Sequence, residues 1–377
     1  MRNFSKAGET SGTSSFIRKM SGWLSAGISV LISTPATAYD NSKFPPFEAT
    51  APHRGFQYIS IHPNDEEWLI TESAEKNYLL LYNLRTQRLQ RYDLPGNYQY
   101  TFAAFSANGD QIITIRKERL PGPMLSDRLE ELKTSEICIM NKDGGQFRAL
   151  PIPHEIIMIA ALSPDGKKIA YWAAKTIRKP GSKTLVADFD VREFNLTTNS
   201  DYLFAGPFNF YHAGPINYLS DSKLLVGAFG PRMEPGEIWD YTKKYNNSEI
   251  YQFDRGQTEI PLPKFSDRYY ANRPTVDKKN NIYFVDFPIQ AGQSLTRISN
   301  DGKSTSWRAP DWRNSSIRQL ASSHNGKYLA FIYGSSSIRA SKSEFAIGIF
   351  QIDQEIWSPV TPPPAKEAQP IAVTIAN

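Results

Sequence analysis

Cysteine is nearly absent from this chain. Cys138 is the only one among 377 residues, so no disulfide can form within the chain and no lipid-bearing cysteine can follow a leader peptide. Cys138 falls inside an apolar stretch, which predicts a buried, inert thiol rather than a nucleophile. Histidine is scarce as well. His53, His62, His154, His212 and His324 show neither H-x-H nor H-E-x-x-H spacing, so no metal is expected. A G-x-S-x-G elbow and a glycine-rich phosphate loop are both missing, which argues against a hydrolase nucleophile and against a nucleotide cofactor. Carboxylates occur as adjacent pairs, Glu66-Glu67 and Glu130-Glu131. Neighbours on a strand or helix point apart, so these make poor acid–base partners. No cofactor and no catalytic set is expected.

Long apolar runs are also lacking, apart from one near the start. Arg18 and Lys19 precede Met20–Ser33, about 14 residues and short of the roughly 20 that span a bilayer. Thr34-Pro35-Ala36-Thr37-Ala38 follows, with small residues where a signal peptidase reads. That order is a secretory signal over residues 1–38, cleaved after Ala38, and it predicts a periplasmic or secreted protein with no membrane span after cleavage. Four basic residues against Glu9 in this segment account for three of the five net positive charges. The remaining chain is close to neutral, so nucleic acid is not an expected partner.

What the chain has in quantity is aromatic side chains, proline and glycine: 21 Phe, 19 Tyr, 7 Trp, 26 Pro and 23 Gly. They favour many short strands joined by turns. One unit recurs: apolar strand, tight turn, apolar strand, variable loop, then a second hairpin. Its turn reads Ser163-Pro164-Asp165-Gly166 in the clearest copy, Ser106-Ala107-Asn108-Gly109 and Ser323-His324-Asn325-Gly326 in two others. Weaker copies lie at His62-Pro63-Asn64-Asp65, at Ser220-Asp221-Ser222 and at Asp277-Lys278-Lys279-Asn280. His62 and His324 fall on turn positions corresponding to Pro164 or Asp165, which gives them a local role. Proline presets φ, Asp or Asn bonds its own backbone, and Gly or Asn accepts positive φ. Six units of four strands predict an all-β fold, a six-bladed β-propeller of four-stranded antiparallel blades.

The run Ser163-Pro164-Asp165-Gly166-Lys167-Lys168-Ile169-Ala170 resembles the signature turn of the WD40-like repeat of TolB-type propellers, which propellers fused to peptidases also carry. The resemblance covers about residues 55–360. It implies the architecture, and it departs from TolB in showing no α/β domain before the blades. The histidine pattern departs from the metal-using pectin-fragment lyases that share the repeat. The expected organisation is a signal (1–38), an N-terminal extension (39–54), the propeller (55–360) and a Pro-rich tail (361–377). Within that tail Pro370–Ile375 either adds a strand that closes the ring or extends loosely.

Long insertions at 117–135, 174–183, 227–247 and 334–343 are expected on one rim of the ring, where a rigid scaffold carries binding loops. Arg178, Lys179, Arg232, Trp239 and Tyr241 are the candidate contacts there, a basic and aromatic set suited to an acidic protein or an anionic glycan. At the channel mouth the candidates are Arg116, Tyr211, His212, Arg273 and Arg318, with the arginines able to hold an anionic group. The favoured reading is a monomeric, exported scaffold or protein-binding module whose partner is a protein or envelope component. The alternative is a lyase or hydrolase acting on a glycan or small anion at the axial channel.

Overall fold

The computed structural model describes residues 55–72, 77–119, 133–178, 185–208, 210, 212–229, 248–259, 261, 264–265, 271–286, 293–310, 316–335 and 344–376. Within these, only the backbone is described for 176–178, 185–188, 212, 248, 335 and 344. The signal, the N-terminal extension, and the candidates Lys179, Tyr211, Arg232, Trp239 and Tyr241 lie outside the described residues, as do the side chains of Arg178 and His212.

Six antiparallel sheets follow one another along the chain as the blades of a β-propeller. Blade 1 holds β1 (Phe56–Ile61), β2 (Glu67–Glu72), β3 (Tyr78–Asn83) and β4 (Leu89–Asp93). Blade 2 holds β5 (Tyr98–Phe105), β6 (Gln111–Glu118), β7 (Glu136–Asn141) and β8 (Arg148–Ala149). Blade 3 is built from β9 (Ile156–Leu162), β10 (Lys168–Arg178), β11 (Leu185–Asn195) and β12 (Ser200–Leu203). In blade 4 the described strands are β13 (His212–Ser220), β14 (Lys223–Phe229) and β15 (Ser248–Asp254). Blade 5 comprises β16 (Ala271–Val276), β17 (Ile282–Asp286), β18 (Ser294–Ile298) and β19 (Ser304–Arg308). Blade 6 comprises β20 (Ser316–Ser322), β21 (Tyr328–Ser335), β22 (Glu344–Gln351) and β23 (Ile356–Val360). A last short strand, β24 (Gln369–Ile371), runs parallel to β4.

The turns after the inner strands form as the sequence requires. In blade 3 the Ser163 N–H bonds Lys168 O, while Ser163 Oγ bonds Asp165 Oδ1 at 2.6 Å and accepts the Lys168 N–H at 3.0 Å. Gly166, Gly109 and Gly326 carry the positive φ of the reversal. Asp65 (φ 62°) and Asn280 (φ 59°) do the same in the weaker copies, since short polar side chains tolerate the left-handed region. His62 takes the position of Ser163, and its Nδ1 accepts the Asn64 N–H in place of a hydroxyl.

Two regions differ from the sequence reading. The insertion at 174–183 continues the hairpin, because β10 and β11 pair without interruption out to Arg178 and Leu185. Lys175 there is the register partner of Asp188. In blade 4 the described part of the Thr258–Ile260 stretch forms no strand, and the Lys264 N–H bonds Ile250 O instead. Blade 2 has a fourth strand of only two residues, as Pro151 and Pro153 remove the donors that would continue it.

Buried aromatic side chains fill the wedges between blades. Trp172 of blade 3 packs edge-on against Phe210 and donates its indole N–H to Gly214 O of blade 4 at 2.9 Å. A Cβ on Gly214 would lie 2.5 Å from Gly227 O, so the hairpin approaches too closely there for any side chain. Polar staples cross the same joint. Glu193 of blade 3 is buried and accepts Tyr218 Oη at 2.7 Å, Arg255 Nη2 at 2.8 Å and the Tyr202 hydroxyl.

Burial works to raise the Glu193 carboxyl, but Arg255, Tyr202 and Tyr218 outweigh it and hold the group below its ordinary value. Asp201 is likewise held down against burial by Arg192, Tyr171 and His154. A carboxylate with a depressed folded-state pKa contributes stability above its unfolded pKa and loses it as pH falls through the folded value. Stability is therefore expected to fall on acidification below about pH 4. Glu193→Gln should flatten that limb in urea titrations run from pH 6 to 3. Arg255→Ala, which leaves a buried carboxylate unpaired, should cost about 3 kcal/mol at pH 7.

Candidate functional site

The axis of the ring opens into a funnel of about 500 Å³ on the face that carries the tight turns, and all six blades line it. This size is typical of ligand sites. Strand register explains why there is space. The second paired residue back from the turn is Ser60, Ala104, Ala161, Thr275 or Ala321 in blades 1, 2, 3, 5 and 6, and in blade 4, whose inner strand slips register at the turn, Asn217 comes third, after Ser220 and Tyr218. Every one is small or short. Deeper in, Ile59, Ile216, Pro274 and Leu320 narrow the walls, and Tyr58 and Gln319 complete the lining. Tyr58 rests against Phe102 with ring centroids 4.5 Å apart.

Apolar residues line the wall on every blade, and most of its polar side chains come from blades 4 to 6. Blades 2 and 3 contribute Ala104, Ala107, Ala160, Ala161, Leu162 and Pro164. Blades 4 to 6 contribute Asn217, Thr275, Lys278, Asn280, Ser322 and His324. Several of the polar groups also hold neighbouring inner strands together. Asn217 Nδ2 donates to Pro274 O at 2.9 Å, Ser322 Oγ donates to Val276 O at 2.6 Å, and Ser60 Oγ accepts the Phe105 N–H at 3.4 Å. Gln319 donates to Ile59 O and Leu320 O, both at 3.0 Å, which fixes the orientation of its amide. Its Oε1 is buried with no partner among the described residues. Burial pushes the neighbouring Tyr58 phenol well above its ordinary value, with Gln319 working in the opposite direction.

Fixed charge in the lining comes from Asp277 and Lys278, with His324 beside them. The Asp277 carboxylate is occupied by Lys279 N–H, Asn281 N–H and Nδ2, and Tyr283 Oη at 2.7–3.1 Å. Among the described residues no three His, Cys, Asp or Glu side chains cluster as a metal site would. The wall is therefore suited to hydrogen bonding and apolar contact rather than to holding a strong anion.

Of the sequence candidates, Arg116, Arg273 and Arg318 have described side chains, and none of the three is in the lining of this funnel. Arg116 lies at the end of β6, where it pairs with Glu136 through Nε and Nη2 at 2.8 Å and lies over the Tyr98 ring, 4.0 Å from its centroid. Arg273 and Arg318 fall where the inner strands of blades 5 and 6 slip register against their neighbours, farther from the turns than the funnel wall. Neither lines the funnel. The same register slip recurs in every inner strand, between Phe56 and Tyr58 in blade 1 and between Tyr100 and Phe102 in blade 2, for example. The small-residue level was the informative signal, and it emerges only when the six turns are set in register.

Solved structures with this architecture include an oligogalacturonate lyase in complex with manganese (10% identity, TM-score 0.51, covering 82% of this chain and 78% of that one). The oligogalacturonate lyase of Vibrio parahaemolyticus is comparable (9% identity, TM-score 0.51, coverage 83% and 79%). TolB of Acinetobacter baumannii matches less well (15% identity, TM-score 0.40, coverage 81% and 68%). At these identities the likeness is one of fold. No family model matches the chain and no curated protein matches it significantly. The WD40-like resemblance thus rests on the turns themselves.

Cys138 lies on β7 with no exposed surface, and burial pushes its thiol up to about 12, against the pull of Arg116. A thiolate is the reactive form. The native protein should resist a thiol-reactive dye at pH 8 for hours and take up one equivalent at once in guanidinium. Rapid labelling of the folded state would show that blade 2 opens locally.

Proposed function

We propose that this chain is an exported binding propeller that receives an uncharged, amphipathic stretch of a partner protein in the axial funnel. The observation that carries the reading is a mixed wall, with apolar residues from every blade and most of its polar side chains from blades 4 to 6, around a space bordered by short side chains. An extended segment offers N–H and C=O groups along its length and apolar side chains between them. Such a wall accepts it without a charged partner. Export is supported by the signal-like order of residues 1–38, and among the described residues no helix is long and apolar enough to cross a membrane.

A second surface is favoured by one observation. The β10–β11 hairpin runs on as paired strand out to Arg178 and Leu185, next to the candidate Lys179. The two surfaces are separable by experiment. The mature protein, immobilised, is used to recover partners from an envelope extract of its host. Ala161→Trp, which fills the funnel, should reduce recovery at least about tenfold with an unchanged circular dichroism spectrum, since steric filling removes well over 1.4 kcal/mol of binding. Deletion of residues 230–247 should leave recovery intact. The opposite pattern would transfer binding to the rim, and equal recovery by both variants would sink the funnel.

A further inference from the structure

We infer that residues 362–376 form an exchangeable strap that closes the ring, and that the outer edges of blades 1 and 2 are strand-accepting surfaces for which this segment is the occupant. Blades 1 and 6 are each complete from contiguous chain, so no strand is exchanged between them. Every other pair of neighbouring blades is joined directly by the chain from one blade to the next. The junction of blade 6 with blade 1 lacks that connection. On the inner side it is held by Asp65, whose carboxylate accepts the His324 and Asn325 N–H groups, and by Trp68 Nε1 donating to Tyr328 Oη at 3.0 Å.

The tail covers the outer side of the same junction. After β23 it seats Ala365 and Ala368 in the apolar cluster shared by Phe56, Leu80 and Leu89 of blade 1 with Ile347 and Ile349 of blade 6. Arg91 Nη1 reaches Ala365 O at 3.4 Å. Residues 369–371 then pair in parallel with Gln90, Arg91 and Tyr92 on β4. Ile371 and Val373 alternate inward onto the blade 1–blade 2 cluster that includes Leu81, Tyr92, Met140 and Phe147, while Ala372 and Thr374 face out. Beyond that, the Thr374 N–H bonds Gly144 O, Phe147 N–H bonds Thr374 O, and Ala376 N–H bonds Phe147 O, at 2.9–3.1 Å.

Blade 2 is shaped to admit the strap. A Cβ on Gly144 would lie 2.3 Å from Ala372 O, and Gly144 has φ +90°. The β8 strand begins only at Arg148, which leaves the Phe147 backbone to the tail. An uncovered strand edge invites pairing with other chains, and here the chain supplies its own partner.

The test uses the full mature protein with a protease site inserted between Pro363 and Pro364, cut after folding. Removal of the freed tail should lower the unfolding midpoint by at least about 3 °C and speed deuterium exchange of the Phe147 amide about tenfold or more. A synthetic peptide of residues 365–376 should restore both, whereas the same peptide with Ile371→Asp and Val373→Asp should restore neither. An unchanged midpoint and unchanged Phe147 protection after tail removal would overturn the strap. Failure of the wild-type peptide to restore protection would overturn its exchangeability, and with it the assignment of these edges as strand-accepting.

Discussion

The reversal between the first and second strand of each blade is the constraint on which the rest depends. A ring of sheets closes only if the inner strands stop at one level; in five blades a turn with one left-handed residue sets that level, and in blade 4 the shorter turn at Asp221-Ser222 sets it. Glycine is the least strained occupant, as at Gly109, Gly166 and Gly326, but Asp65 and Asn280 reach the same conformation through their short polar side chains. Once the turns share a level, residues at equal distance from them share one as well. The five short side chains at the second pair back, with Asn217 of blade 4, then border a single opening. The funnel is therefore a consequence of register and needs no elaborated loop.

This explains what was legible in the sequence and what was not. The turns could be read because their residue types answer a backbone demand that no tertiary contact overrides. The funnel could not be read from one blade, since Ala104, Ala161 and Ala321 look like ordinary strand residues until the copies are superposed. That Arg273 and Arg318 are absent from the lining of this funnel was hidden for a related reason. An inner strand that slips register by a residue or two shifts every side chain beyond the slip, and alternation of residue type does not reveal where that occurs. The extension of β10 and β11 was hidden because Thr176, Ile177 and Val186 lie among lysine, arginine and glycine, which read as a surface loop.

The polar groups of the inner strands bind the blades together as well as lining the funnel. Ser60, Asn217, Gln319 and Ser322 each bond the backbone of an adjacent blade, so the wall is held in place before any ligand arrives. A site whose side chains are already fixed loses little entropy on binding. The same bonds limit chemistry there, because a donor committed to a neighbouring carbonyl is not free to move a proton.

Closure of the ring shows the same economy at its one discontinuous junction. Propeller blades exclude water from their flanks only while they are pressed together, and the junction of blades 6 and 1 lacks the linking chain that holds every other pair. Asp65 caps two backbone donors of the adjoining turn on the inner side, and the tail spans the outer side with small residues and a short parallel strand. Backbone pairing tolerates many sequences, so the strap could be recognised only from what receives it: a glycine at 144 without room for a Cβ, and a neighbouring strand too short to use its own edge. Those two features lie more than 200 positions from the tail in sequence. The fold brings them together because the turns have already brought the six inner strands to one level.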